Sequence, residues 1–242
     1  MKICIAQIRP YKGNIAANTK AHLGFIELAV FLQADAIFFP ELSLTCYEPE
    51  LAFALATEQE ALQLRPFQRI SDSSHIAIGL GLPVKSLTGV QIGMVIFRPG
   101  QPRLTYSKQQ LHTDEYPYFE PGSGQLILQL AGKKIAPAIC YESLQPAHAE
   151  NAFNMGAQIY LASVAKSASG VTKARQYYPE VAGKYAMPVL MANSIGFCDN
   201  FLSVGNSAVW SKTGVLLGQL DQDTEGILVF DTETEEVVQQ LV

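Results

Sequence analysis

Apolar residues in this chain fall mostly in short runs closed by Gly, Pro or a charged residue, the pattern of buried strands. Such runs span 2–8, 35–40, 75–82, 90–97, 103–107, 125–130, 134–139, 158–164, 188–193, 204–211 and 226–231. Four longer segments, 14–33, 57–73, 146–156 and 172–186, read as helices. In the first, Ile15, Leu23, Ile26 and Val30 form a stripe, and Phe25, Leu28 and Phe31 widen it. Asn18, Lys20 and Glu27 fit its outer face. Glycines at 79, 81, 89 and 93 fit strand ends and a hairpin near Thr88-Gly89, and Ser211-Lys212-Thr213-Gly214 reads as a turn between two late strands. Many strands with a few helices among them predict an α/β chain with mixed sheets.

Composition narrows this picture. The chain has 242 residues, 48% of them hydrophobic, enough for a sizeable core. No linker, charge run or low-complexity segment interrupts it, so residues 1–242 are expected to form one domain. A net charge of −5 gives no reason to expect nucleic acid or an anionic membrane as partner. The charged fraction is low at 16%, which hints at surface buried in an oligomer. No apolar stretch approaches membrane-spanning length, and the run after Met1 stops at Arg9-Pro10, too short for a signal peptide. A cytoplasmic location is therefore expected, with Cys4, Cys46, Cys140 and Cys198 as reduced thiols. Neither the cysteines nor His22, His75, His112 and His148 show metal-binding spacing, and no cofactor is expected.

Candidate chemistry centres on Cys140, which ends the run 135–139 and precedes a helical segment. A cysteine between a strand and a helix start sits where backbone N–H groups converge. These lower a thiol pKa and stabilise an adjacent oxyanion. Glu41 ends the run Ala36-Ile37-Phe38-Phe39-Pro40, and Lys108 follows Arg103-Leu104-Thr105-Tyr106-Ser107. In open α/β sheets, the carboxyl ends of strands form the ligand crevice. Three distant segments thus deliver a carboxylate, an ammonium and a thiol to one end of the fold. A desolvated Glu41 has the properties of a general base, and Lys108 with the Tyr141 N–H those of oxyanion donors. The set suits attack on a carbonyl or nitrile carbon through a thioester-like intermediate.

Glu41, Lys108 and Cys140 resemble the Glu-Lys-Cys triad of the nitrilase superfamily of carbon–nitrogen hydrolases. The local contexts Phe39-Pro40-Glu41-Leu42, Tyr106-Ser107-Lys108 and Ile139-Cys140-Tyr141-Glu142 are similar to the family's three motifs, in the same order. Ala6-Gln7 near the start, and the stretch from Asn193-Ser194-Ile195-Gly196 to Gly205-Asn206-Ser207, extend the resemblance over nearly the whole chain. The resemblance implies a four-layer α-β-β-α sandwich with two mixed β-sheets, paired as a homodimer or built into larger homo-oligomers. It implies Glu41 as base, Lys108 as oxyanion stabiliser and Cys140 as nucleophile. Glu115, four residues before Phe119, fits a second glutamate of the family that supports Lys108 or positions substrate.

The implied activity is hydrolysis of a small, mostly uncharged carboxamide. Nitrile or N-carbamoyl hydrolysis and acyl transfer through the same thioester are the alternatives. Tyr141, where true nitrilases tend to have Trp, leans toward an amidase. Many amidase members hold a substrate carboxylate with an Arg shortly after Cys-Tyr, but Glu142-Ser143-Leu144-Gln145 has none. Loops 42–56, 112–124, 143–148 and 166–172 are expected to shape the pocket. Tyr47, Tyr116 and Lys166 are the residues expected to touch substrate, with Tyr118, Phe197 and Ser167 as further candidates.

Overall fold

A computed structural model describes residues 1–242. In chain order its first half contains β1 (Lys2–Gln7), α1 (Ile15–Phe31), β2 (Ala36–Phe38), the short helix α2 (Ala52–Leu55), α3 (Arg65–Ser74), β3 (Ala77–Lys85), β4 (Val90–Arg98) and β5 (Gln101–Ser107). Next come β6 (Leu128–Leu130), β7 (Lys133–Ile139), α4 (Pro146–Asn154), β8 (Ile159–Val164), α5 (Ala168–Tyr185) and β9 (Val189–Asn193). The chain closes with β10 (Ile195–Cys198), β11 (Phe201–Val204), β12 (Ala208–Trp210), β13 (Leu216–Gln219), β14 (Gly226–Asp231) and β15 (Val237–Leu241).

Two sheets carry the architecture. One has seven strands in the order β15-β14-β1-β2-β3-β4-β5, the other six in the order β13-β12-β9-β8-β7-β6. At the centre of each, β1-β2-β3 and β7-β8-β9 are parallel, and the flanking strands are antiparallel. The sheets face each other across a core that mixes Ile3, Phe38 and Ile92 from one with Ile135, Leu161 and Leu190 from the other. A second cluster joins the outer face of the seven-stranded sheet, through Ile37 and Val95, to Phe25 and Ile26 of α1 and Phe67 of α3. A third joins Ala138 and Tyr160 to Ala149 of α4 and Ala174 and Tyr178 of α5. The result is the expected α-β-β-α sandwich of two mixed sheets. Strands buried on both faces cannot alternate apolar with polar residues, hence the continuous apolar runs. No helix is long and apolar enough to cross a membrane.

Several elements differ from the sequence pattern for identifiable reasons. Asn18 is buried because its side chain hydrogen-bonds Tyr11 and the Leu44 carbonyl, whereas Phe31 at the end of α1 is 79% exposed. The segment 57–73 becomes α-helical only at Arg65, after a 3₁₀ turn at Leu62–Leu64, because Pro66 has no N–H and fits only a first turn. The run 204–211 is broken by Gly205 and Asn206, both at positive φ, so β12 starts at Ala208. The hairpin β10–β11 and the edge strand β15 were not anticipated. Gly79, Gly81 and Gly93 lie inside strands rather than at their ends, while Gly89 does sit in the hairpin turn.

Candidate active site

Glu41, Lys108 and Cys140 lie at the same end of the two sheets, each just past a strand. Glu41 follows β2 on a turn whose backbone lies hard against β3. A Cβ on Gly81 would stand 2.3 Å from the Pro40 carbonyl oxygen and 2.5 Å from the Leu42 nitrogen, so only glycine permits this approach. Ser163 Oγ of the opposite sheet donates to the Phe39 carbonyl (2.7 Å), and His22 Nε2 meets Ser43 Oγ at 3.0 Å. Burial pushes the His22 pKa down to about 4, so the ring braces this turn as a neutral group.

Lys108 continues the line of β5, its N–H donating to the Ile92 carbonyl at 2.9 Å. Its own carbonyl accepts from the Gly122 N–H at 2.7 Å, a contact that needs Gly122 because a Cβ there would meet the Ser107 oxygen at 2.3 Å. Cys140 ends β7 in a left-handed conformation, φ 46°, which non-glycine residues rarely adopt and which recurs at functional sites. It opens a short 3₁₀ turn, Cys140–Leu144, which leads into α4 at Pro146, where the sequence pattern placed the helix start. Its Sγ lies 3.7 Å from the Ala165 carbonyl oxygen.

The charged groups form one buried cluster. Lys108 Nζ donates to Glu41 Oε1 (2.7 Å) and to Glu115 Oε1 (2.5 Å), and all three side chains are almost wholly buried. Tyr47 Oη also donates to Glu115 Oε1 (2.9 Å), and the His112 N–H donates to Glu115 Oε2 (2.7 Å). Glu41 Oε2 is buried with no partner at hydrogen-bond distance, although the Cys140 thiol is near enough to pull its carboxyl pKa downward. Burial pushes the Glu41 carboxyl up to about 7; Lys108 opposes the rise and Glu115 adds to it. Burial acts against the Lys108 ammonium, but the two carboxylates outweigh it and hold its pKa above the ordinary value.

The Cys140 thiol departs from expectation. Burial, then the nearby Glu41, push it up to about 11, with Lys166 and Lys108 acting in the opposite sense. At neutral pH it is therefore a thiol. A base that takes its proton during attack is needed, rather than a preformed thiolate.

A cavity of about 500 Å³ opens on this cluster, lined by Tyr47, Lys108, Glu115, Cys140, Tyr141 and Lys166 among others. Glu41 is not itself on the lining and reaches it through Lys108. All four predicted loops contribute, through Tyr47, Asp114, Gln145 and Ser167 for example. Tyr116 does not line the cavity: it is 61% exposed on the turn after Glu115 and points away. Phe197 is also exposed, and Phe201, across the same hairpin, lines the wall instead. Lys166, on the lining, is 5% exposed.

Sequence reasoning did not single out Glu142. Its Oε1 accepts from Tyr106 Oη (2.7 Å) and the Ile139 N–H (2.8 Å), and its Oε2 from the N–H groups of Gln109 (2.6 Å) and Gln110 (3.2 Å). This ties the cysteine turn to the residues after Lys108, across the two sheets. Tyr106 Oη in turn meets His148 Nε2 at 2.9 Å, and His148 Nδ1 meets Tyr160 Oη at 2.8 Å. Only the position of Glu142 next to the Cys-Tyr pair hinted at this role.

Comparison with known proteins places these observations in context. The sequence model described as carbon-nitrogen hydrolase matches residues 2–240. Among curated proteins, a glutamine-dependent NAD(+) synthetase of Thermotoga maritima is 24% identical over 98% of this chain and 42% of its own length. One from Aquifex aeolicus is 26% identical over 94% of this chain and 41% of its own length. The chain thus spans less than half the length of these relatives. Among solved structures, an amidase from Nesterenkonia sp. AN1 superposes with a TM-score of 0.87 at 23% identity, over 97% of this chain and 94% of the other. A cysteine-to-alanine mutant of that amidase is known in complex with butyramide, again at a TM-score of 0.87, with 22% identity over 97% and 92% of the two chains. At such identities the superposition establishes a shared fold.

Proposed function

The chain belongs to the carbon–nitrogen hydrolase family, and from that premise we propose that it is a cysteine-dependent amidase acting on a small carboxamide. The observation that carries this reading is the arrangement at Glu41. One carboxylate oxygen is held by Lys108, and the other is buried, unpartnered and beside the Cys140 thiol. A carboxyl with a pKa of about 7 next to a thiol at about 11 is suited to accept that proton as the sulfur attacks.

In this reading Cys140 Sγ bonds to the amide carbonyl carbon while its proton passes to Glu41. The Lys108 ammonium and the Tyr141 N–H stabilise the tetrahedral oxyanion. Collapse breaks the carbon–nitrogen bond, the nitrogen leaves with the proton from Glu41, and a thioester remains. Glu41 then deprotonates a water molecule, which attacks the thioester and releases the acid and the thiol. Glu115 fixes Lys108 between two carboxylates, and Tyr47 fixes Glu115.

Two comparisons support a carboxamide. The Nesterenkonia amidase mutant holds butyramide, and the curated relatives are glutamine-dependent, glutamine being itself a primary amide. Assembly as a homodimer or larger homo-oligomer, and a cytoplasmic location, belong to the same proposal. Exposed Phe53 and Phe197 favour assembly; light scattering reads the mass directly.

The test is ammonia release from a panel of amides, nitriles and N-carbamoyl amino acids, beside a Cys140→Ala control. Release from amides that is absent in the control supports the reading. Exclusive turnover of nitriles or carbamoyl compounds reassigns the substrate, and turnover only with an added amine acceptor reassigns the reaction to acyl transfer. No release from any compound, with or without an acceptor, overturns the assignment.

A further inference from the structure

Cys46 and Cys198 take no part in the proposed chemistry, yet the fold brings them together from distant parts of the chain. Cys46 stands in the loop after Glu41, directly before Tyr47, and Cys198 ends β10. Two contacts bracket the pair. Cys46 Sγ lies 3.7 Å from the Phe197 carbonyl oxygen, and the Asp199 N–H donates to Glu48 Oε1 at 3.3 Å. Between these contacts the two thiols hydrogen-bond each other, and the Tyr47 N–H reaches both sulfurs. Ser194 Oγ adds a contact to Cys198 Sγ at 3.8 Å. Both cysteines are free and belong to the core between the sheets, whereas Cys4 lies in the cluster on the far side of the seven-stranded sheet.

The backbone makes Cys46 a costly place for a side chain. Its φ is 66°, in the left-handed region that glycine adopts freely and a Cβ disfavours. The contact between the thiols is also unequal. The hydrogen bond from Cys198 pulls the Cys46 thiol below its ordinary range, burial and Glu48 opposing and the Tyr47 N–H assisting. The same contact, with burial, pushes the Cys198 thiol up. Cys46 is thus the readier thiolate, and Cys198 is a protonated partner held against it, the arrangement of an attacking and a resolving thiol. A small oxidant has a way in. β10 and β11 form a two-stranded sheet outside both large sheets, and Asp199, Asn200 and Leu202 on it are exposed. A lone hairpin opens more readily than a strand inside a sheet.

We infer that Cys46 and Cys198 form a reversible dithiol–disulfide site that clamps the β10–β11 hairpin to the loop carrying Tyr47. The oxidant is a hydroperoxide and the reductant a small thiol. The Cys46 thiolate attacks the peroxide, breaking its O–O bond to give a sulfenic acid and hydroxide. The Cys198 sulfur then displaces the sulfenic oxygen, forming the S–S bond and releasing water. Two small thiols reverse the change, becoming a disulfide themselves as both cysteines regain their protons. The clamp reaches the cavity wall. The Tyr47 ring packs edge-on against Phe201, with centroids 5.7 Å apart, and both line the cavity. Phe201 is the register partner of Cys198 across the hairpin, and Tyr47 Oη holds Glu115. Because Cys140 takes no part in the step, the inference stands apart from the amidase reading.

The experiment treats the folded Cys140→Ala chain with hydrogen peroxide, then unfolds it in N-ethylmaleimide and maps the peptides by mass. The expected product is about 2 Da lighter than the untreated chain before alkylation. It has Cys46 joined to Cys198, Cys4 alkylated, and full recovery of both thiols in dithiothreitol. Cys46→Gly, which suits the left-handed backbone, and Cys198→Ser, which nearly keeps the side-chain shape, are each expected to abolish the cross-link. Recovery of Cys46 and Cys198 as maleimide adducts, from a tube in which added glutathione has been oxidised, overturns the site. So does oxidation of Cys46 to its sulfinic acid with Cys198 left free. Amide hydrogen exchange reads the clamp separately. Residues 46–48 and 195–204 are expected to exchange about tenfold more slowly in the oxidised chain, because the hairpin no longer opens. Unchanged exchange in both segments overturns the clamp.

Discussion

Two buried glutamates at the end of this sandwich that carries Cys140 have opposite environments. Glu142 receives four donors, two at each oxygen: the Tyr106 hydroxyl and the N–H groups of Ile139, Gln109 and Gln110. Glu41 receives the Lys108 ammonium at one oxygen and nothing at the other. Burial raises both carboxyl pKa values, but donors pull back at every lone-pair direction of Glu142, while Glu115 pushes Glu41 further up. A saturated carboxylate has no free capacity for chemistry and serves as a rivet between two loops. One with a vacant, desolvated oxygen beside a thiol can take a proton. Burial alone does not separate structure from function here; the unfilled acceptor does.

Exchanging each glutamate for glutamine tests this contrast. Glu41→Gln is expected to lower kcat/KM about a thousandfold while the fold persists, because the base is lost and the Lys108 contact is kept through the amide oxygen. It also removes a pH dependence of stability. The folded pKa of Glu41 is raised from 4.5 to about 7, so the stability linked to its proton is full below pH 4.5 and is lost as pH rises through about 7. Thermal unfolding across that window should be flatter in the variant; an unchanged slope would assign the titration to another group.

Glu142→Gln is expected to act the other way round, with stability as its main readout. An amide nitrogen facing the Gln109 and Gln110 N–H groups leaves donors opposed to donors, at a cost of about 3 kcal/mol. A large loss of melting temperature with a modest loss of kcat fits the rivet. A stable but inactive variant would place Glu142 in the chemistry.

The smallest effect is expected from Glu115→Gln. Loss of that negative charge lets the Glu41 pKa fall, so the acid limb of the kcat/KM profile should move from about pH 7 toward lower pH. The rate at the plateau should fall by about tenfold as Lys108 loses one of its two counter-charges, the contact itself being kept through the amide oxygen. A limb that moves upward would contradict the electrostatics assigned to the cluster.

The sequence was most informative where residues are consecutive in chain and space. The apolar runs before Glu41, Lys108 and Cys140 marked strand ends, and those three side chains do converge. It was blind to contacts that only tertiary packing makes. Nothing local to Lys166 showed that Gly170 and Asn193 would draw it out of solvent, so it read as easily as a surface lysine. Tyr116 failed for the converse reason: its neighbour Glu115 turns inward to Lys108, which sends the next side chain out. The Asp199-Asn200 turn of the β10–β11 hairpin, with Asp199 at positive φ, was a readable signal that an apolar-run reading overlooks. The thiol pKa was beyond reach because it depends on burial and on a carboxylate from the opposite sheet.

The most direct test of the central claim, that Glu41 is the base for Cys140, is the pH dependence of Cys140 alkylation by iodoacetamide in wild type and Glu41→Gln. The account predicts a rate that climbs through about pH 7 in the wild type, and a variant in which that limb is gone and reactivity rises only as the still buried thiol itself ionises, at a pH lowered from about 11 by loss of the Glu41 charge. A limb near pH 7 that survives in Glu41→Gln would contradict it, because the group that activates the thiol would then lie elsewhere.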